Sequence, residues 1–203
     1  MGLTPVPDDQ IATIVTSLEM KAKPAARPAP HSPFALVHWK APSNERYRTL
    51  FRRVGEPWMW FSRLVMAEDR LREIIQHPAV EIYAATDRAG IEIGMLELDF
   101  RVEATCELSF FGLVPELNGQ GHGNWLMHQA LTLAWRKGVE RVWVHTCTLD
   151  HPNALGFYQR HGFVPFKRMV ETFADPRLAG IMPRDCSPHI PVLGPVLGAG
   201  NAR

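Results

Sequence analysis

Residues 107–124 read ELSFFGLVPELNGQGHGN. The first eight, 107–114, are rich in apolar and aromatic side chains and read as a strand. Pro115 ends it, and Gly119, Gly121 and Gly123 follow at alternate positions. Over 119–137, Trp125, Leu126, Gln129, Ala130, Leu133 and Ala134 recur near one helical face, and Gly138 closes the helix. The next apolar run, 141–149 (RVWVHTCTL), is a strand. A helix between two strands of one sheet is a crossover, so 107–114 and 141–149 are expected to run parallel.

Alternate glycines let a backbone turn tightly and approach a ligand closely. Free N–H groups at the helix start point outward with the positive end of the helix dipole behind them, which suits a phosphate or pyrophosphate. A tight turn with good helix packing explains the glycines alone equally well. Two phosphate motifs fail on paper. A Walker loop needs Gly-Lys-Ser or Gly-Lys-Thr, but Gly123 is followed by Asn124-Trp125. A dinucleotide fingerprint needs G-x-G-x-x-G, and the spacing here is G-x-G-x-G.

Upstream, 79–86 and 91–100 read as strands around an Asp87-Arg88-Ala89-Gly90 turn, giving a three-strand meander with 107–114. Before them, 11–20 and 34–40 suggest strands, Asn44 suits the N-cap of a helix over 45–54, and 64–76 reads as a second helix. Downstream, 153–161 is a short helix and 163–173 a last strand. Pro165 inside that strand marks an edge or a bulge. The whole is an α/β (α+β) fold with a mixed, mostly antiparallel sheet flanked by helices.

The 17 prolines divide the chain: seven lie in residues 1–42, five in 176–195, and five in between. This predicts an N-terminal extension over 1–33, with an extra strand and a proline-rich connector, a working domain over 34–175, and a Pro/Gly-rich tail over 176–203. From about Arg184 the tail is expected to wrap the surface or stay mobile. The ends carry no recognised chemistry. Lys plus Arg (22) nearly cancels Asp plus Glu (21), so no basic field exists for nucleic acid. No apolar run approaches the roughly 20 residues that span a bilayer. Three scattered cysteines fit a reducing cytoplasm better than a disulfide scaffold.

Two stretches together resemble the GNAT-type N-acetyltransferase superfamily. Its acyl-CoA loop reads Arg/Gln-x-x-Gly-x-Gly/Ala after a strand-ending proline and acid. Here Asn118-Gly119-Gln120-Gly121-His122-Gly123 follows Pro115-Glu116, matching at Gly121 and Gly123 and departing at Asn118. Its second signature is matched by Ala154, Phe157-Tyr158 and Gly162-Phe163, with His151 where the family often has Asn. The resemblance covers about residues 34–173.

The resemblance implies a parallel strand pair splayed into a V that takes acetyl-CoA as co-substrate. Leu113 and Val114 would hydrogen-bond pantetheine as a strand would. The N–H groups of Gly119, Gly121, Gly123 and Asn124 would hold the pyrophosphate, and the Asn118 departure would weaken a side-chain contact. Tyr158 would be the general acid that protonates the departing thiolate; a core tyrosine is the bland alternative. Glu107, six residues before Leu113, matches the offset of a catalytic glutamate in the histone-modifying branch, with Glu97 and water chains as competing bases. Strand alternation would put Glu107 on one face with Ser109, Phe111 and Leu113. Trp58 and Trp60 would border the acceptor as an apolar or cation-binding wall, or else be ordinary core.

The HTCTLDH run, 145–151, invites a metal or nucleophile reading, but no zinc-ligand spacing is present and direct transfer needs no metal. His145 and Cys147 read as packed or pocket-lining. His151 either caps the following helix or lines the acceptor site. The expected activity is transfer of acetyl to a primary amine, of a small molecule ahead of a protein. The alternative is an acyl-CoA sensor without turnover, suggested by Asn118 and His151. No nucleic acid or membrane partner is expected, and a homodimer stays open.

Overall fold

A computed structural model describes residues 2–25 and 28–193. The strands are β1 (Gln10–Met20), β2 (Ala35–Trp39), β3 (Val80–Thr86), β4 (Glu92–Asp99), β5 (Thr105–Leu113), β6 (Arg141–Cys147) and β7 (Val164–Ala174). The helices are α1 (Asn44–Gly55), α2 (Ser62–Val65), α3 (Glu68–Ile75), α4 (His122–Ala134) and α5 (Ala154–Arg160). All seven strands form one sheet in the order β2-β3-β4-β5-β6-β1-β7. Among the described residues β5 and β6 pair in parallel and the other neighbours are antiparallel.

Burial explains the layering. β4 is buried along nearly its whole length, as a strand covered on both faces must be. α1 buries Tyr47, Leu50, Phe51 and Val54, a three-and-four spacing that makes one stripe. α4 buries Trp125, Leu126, Met127, Ala130 and Ala134. Each fully buried large apolar side chain stabilises the fold by about 1.5–3 kcal/mol.

Two helix expectations are corrected. Ser43, not Asn44, caps α1: its hydroxyl accepts from the Arg46 N–H at 3.2 Å. Asn44 is instead buried, and its amide donates to the Glu68 carbonyl at 2.8 Å. The single helix expected over 64–76 is two, broken at Met66 and Ala67, both extended in backbone. Arg48 of α1 causes the break to be tolerated. Its guanidinium takes the carbonyls of Arg63 (3.2 Å) and Met66 (2.6 Å), which a continuous helix would have used.

The strand expected in the N-terminal extension is β1, and it lies inside the sheet between β6 and β7. The sheet thus reaches back past residue 34. β7 is an edge strand, and Leu18 pairs with Pro165 while Ser17 pairs with Lys167, leaving Phe166 as a bulge. Pro165 therefore sits at both an edge and a bulge.

Residues 175–190 are pinned despite their lack of period. The buried Arg177 guanidinium binds Asp175 through Nε (3.0 Å) and Nη2 (2.7 Å). Its Nη1 donates to the carbonyls of Cys186 (3.0 Å) and Ile190 (2.8 Å). Cys186 and Ser187 in turn donate to the carbonyls of Glu56 (2.7 Å) and Pro57 (3.3 Å). Met182 and Cys186 close a second small core with Ile11, Met59 and Leu149. The last stretch of the expected tail, 194–203, lies outside the described residues, as do 26 and 27 of the connector.

Candidate active site

The parallel register of β5 and β6 holds for three pairs, Thr105 with Arg141, Cys106 with Val142 and Glu107 with Trp143. β5 then runs on to Leu113 and β6 to Cys147 without pairing each other. The strands open into a V, and a cavity of about 570 Å³ fills it, lined by Leu108–Leu113 on one side and Val144, His145 and Cys147 on the other.

The glycine turn lies at one end of this cavity. Asn118, Gly119, Gly121, Gly123 and Asn124 all line it. Gly119 (φ +76°) and Gly121 (φ +83°) are left-handed, a conformation in which side chains other than glycine are strained. Among the described residues no group accepts from the N–H donors of 119–123, so a row of backbone donors faces outward at the start of α4. Asn124 is the exception in the expected set: its N–H bonds the Gly121 carbonyl at 3.1 Å and its side-chain oxygen meets His161 Nε2 at 3.0 Å. Leu113 lines the cavity, but Val114 does not. The Val114 N–H bonds the Ile93 carbonyl at 2.9 Å and its own carbonyl takes the Leu117 N–H at 3.0 Å. The strand-like contact expected of both residues therefore rests on Leu113.

Tyr158, on α5, is 7% exposed and lines the cavity opposite β5, with Phe111 and Phe163 edge-on to its ring. Burial, and then the nearby Asp150 carboxylate, raise its pKa well above the ordinary phenol value. It stays protonated throughout the physiological range.

The other end of the cavity holds the aromatic wall. Trp58 meets His151 edge-to-face at 5.1 Å. The Trp60 indole donates to Asp150 Oδ1 at 3.3 Å. Asp150 Oδ2 accepts from the Thr146 hydroxyl (2.7 Å) and the Cys147 N–H (2.9 Å), so this carboxylate is already committed. His151 Nδ1 also accepts from the Asn153 N–H at 3.1 Å in the turn before α5, so it is a lining residue and not the helix cap, a position Asn153 holds.

Glu107 is off the lining, and its face differs from the one alternation implies. Glu97 pairs with Phe110 but Leu98 pairs with Leu108, so Ser109 is an extra residue in β5. This bulge reverses the parity. Glu107 shares the face of Phe110 and Gly112, toward α1, and not that of Phe111 and Leu113, toward Tyr158. There Glu107 Oε1 lies 3.3 Å from His145 Nδ1. Glu97, the competing base, is fully buried between Tyr47 and Arg63, both at 2.6 Å.

Sequence reasoning gave the N-terminal extension no chemistry, yet β1 brings Thr13 and Val15 to the cavity; β7, inside the expected working domain, adds Glu171 and Phe173. Only the strand order, with β1 inserted beside β6, places them there. Cys147 lines the cavity too, but burial pushes its thiol up, so it holds no ready thiolate. Among the described residues no cluster of His, Cys, Asp or Glu could hold a metal, and no helix is long and apolar enough to cross a membrane.

The sequence model of the acetyltransferase (GNAT) family matches residues 42–163. The chain belongs to the GNAT family. Solved GNAT structures share its fold. A GCN5-related N-acetyltransferase from Sphaerobacter thermophilus is 16% identical, with 84% of this chain and 52% of that one covered at a TM-score of 0.55. An aminoglycoside acetyltransferase from an uncultured soil metagenomic sample, solved with sisomicin, is 14% identical, with 64% of this GNAT chain and 88% of that one covered at a TM-score of 0.52. A functionally unknown protein from Staphylococcus epidermidis is 14% identical, with 80% and 62% covered at 0.52. This GNAT chain thus spans between half and two thirds of the length of the Staphylococcus and Sphaerobacter proteins. No curated protein matches it in sequence.

Proposed function

We propose that this GNAT chain transfers acetyl from acetyl-CoA to a primary amine of a small molecule in the cytoplasm. The observation that carries the reading is one continuous cavity between splayed strands, with free backbone donors at one end and Tyr158 on its wall. The residues fit acetyl-CoA. The N–H groups of 119–123 suit its pyrophosphate, and the open side of β5 near Leu113 suits its amide-bearing arm. The thioester supplies an acyl carbon open to attack by a neutral amine. Tyr158 then gives its proton to the leaving sulfur; the burial that raises its pKa also raises the basicity of a thiolate in the same cleft. Trp58, Trp60 and His151 form the acceptor wall, where an apolar-bodied or cationic amine can rest.

The test is Tyr158→Phe. Turnover, read as thiol release over an amine panel, should fall about a hundredfold. Acetyl-CoA affinity by calorimetry should stay within about twofold. Full activity in the variant refutes the acid role. Tight acetyl-CoA binding by the native chain with no thiol release over the panel would favour a sensor instead.

A further inference from the structure

Glu107 is the last β5 residue in register with β6, and His145 stands two residues past its partner Trp143, where the V opens. Paired residues share a face, and alternation along β6 returns His145 to that same face. This is why Glu107 Oε1 and His145 Nδ1 meet at 3.3 Å. A carboxylate this close to Nδ1 favours the hydrogen on that nitrogen, which leaves Nε2 its lone pair. His145 lines the cavity and Glu107 does not.

We infer that His145 Nε2 takes the proton from the attacking amine, and that Glu107 is a positioning residue that fixes the imidazole's tautomer and orientation. This rests on the acyl-transfer reading above. The amine nitrogen bonds to the thioester carbon and loses one proton to Nε2. The C–S bond breaks, sulfur keeps the electron pair, and it takes the Tyr158 proton. The imidazolium proton returns to the tyrosinate through solvent, so one amide and one thiol are made and both side chains are restored.

Other carboxylates on this part of the sheet are less suited. Glu97 is sealed in the core and Asp150 is held by three donors. Glu171 lines the cavity from the exposed edge strand, where it suits holding the incoming ammonium. The groups facing His145 are Glu107 from β5, Asp150 from the loop after β6 and Glu171 from β7; β1 offers uncharged Ser17, with Lys167 beyond it. The Glu107 bond, opposed by burial, raises the His145 pKa above the ordinary imidazole value, with the two other carboxylates adding to it. The base form is therefore lost as pH falls through that raised value.

The experiment joins kcat–pH profiles on the full chain with NMR titration of the His145 C2–H resonance, assigned by its loss in His145→Gln. His145→Gln should lower kcat about 10²–10³-fold and abolish the acidic limb, with acetyl-CoA affinity unchanged. Glu107→Gln should shift both the limb and the NMR midpoint down by about one pH unit. Retention of kcat within about threefold in His145→Gln, or an unmoved midpoint in Glu107→Gln, overturns the inference while the acyl-transfer reading stands. Absence of thiol release by the native chain overturns that reading and the base role together.

Discussion

Glu97→Gln separates the buried carboxylate of β4 from the chemistry. Glu97 is 0% exposed and accepts from the Tyr47 hydroxyl and from Arg63 Nη2, both at 2.6 Å. The two donors come from α1 and α2, so one carboxylate ties both helices to the sheet. Glutamine keeps the shape and removes only the charge. Arg63, 8% exposed, is left with the Phe110 ring at 5.3 Å and the more distant Asp99. Breaking a buried pair from one side costs about 3–5 kcal/mol. The amide oxygen can still accept one of the two bonds, which puts the expected loss near the low end, about 3 kcal/mol. For a chain of this size that is a fall in Tm of about 6–12 °C. Urea unfolding should show a lower midpoint at unchanged slope. Glu97→Leu combined with Arg63→Met and Tyr47→Phe should recover most of the loss, because an apolar trio leaves neither a charge nor the Tyr47 hydroxyl without a partner. At temperatures where the variant is folded, turnover should stay near native. A melt within about 2 °C of native refutes the structural role. A fall in turnover of about a hundredfold at native stability makes Glu97 the base, and His145 then is not.

Gly121→Ala should weaken acetyl-CoA binding about tenfold by calorimetry, because a left-handed alanine costs about 1–2 kcal/mol and nothing within 4 Å of the added methyl offsets it. Gly123→Ala is its control: φ there is ordinary and the methyl would touch Phe157 at 3.5 Å, so equal effects in the two variants would sink the argument from backbone conformation. Arg177→Met strands the buried Asp175 carboxylate and frees the carbonyls of Cys186 and Ile190, at a cost of about 3 kcal/mol or more. Limited proteolysis should then cut within residues 175–190, and the amine KM should rise, since Cys186 and Ser187 hold the segment that leads into Trp58. An uncut tail would show that its hold does not depend on Arg177.

The strands and the glycine turn were legible because each rests on local chemistry. Alternate glycines do follow a strand end, two of them do take positive φ, and Pro165 does mark an edge and a bulge. What failed depends on partners far along the chain. The break at Met66 needs Arg48, eighteen residues earlier, to take the freed carbonyl. The place of β1 beside β6 brings Thr13 to the cavity, and no periodicity within β1 names its neighbours. The ordered tail had a trace in its sequence, Asp175-Pro176-Arg177, but an acid and an arginine two apart are ordinary on a surface and become a clasp only when buried.

The site turns on one inserted residue. Without the bulge at Ser109, strand alternation would aim Glu107 at the Tyr158 side, with Phe111 and Leu113. Acid and base would then crowd one wall of the cleft. The bulge swings Glu107 to the face that β6 presents with His145, and leaves Tyr158 alone on the other. With His145 as the proposed base on one face and Tyr158 as the proposed acid on the other, separate groups serve the incoming amine and the departing sulfur. The offset from Leu113 singled out Glu107 as a base, but its place off the cavity lining and beside His145 could not be read, because a bulge changes the register while leaving the composition of the strand as it was.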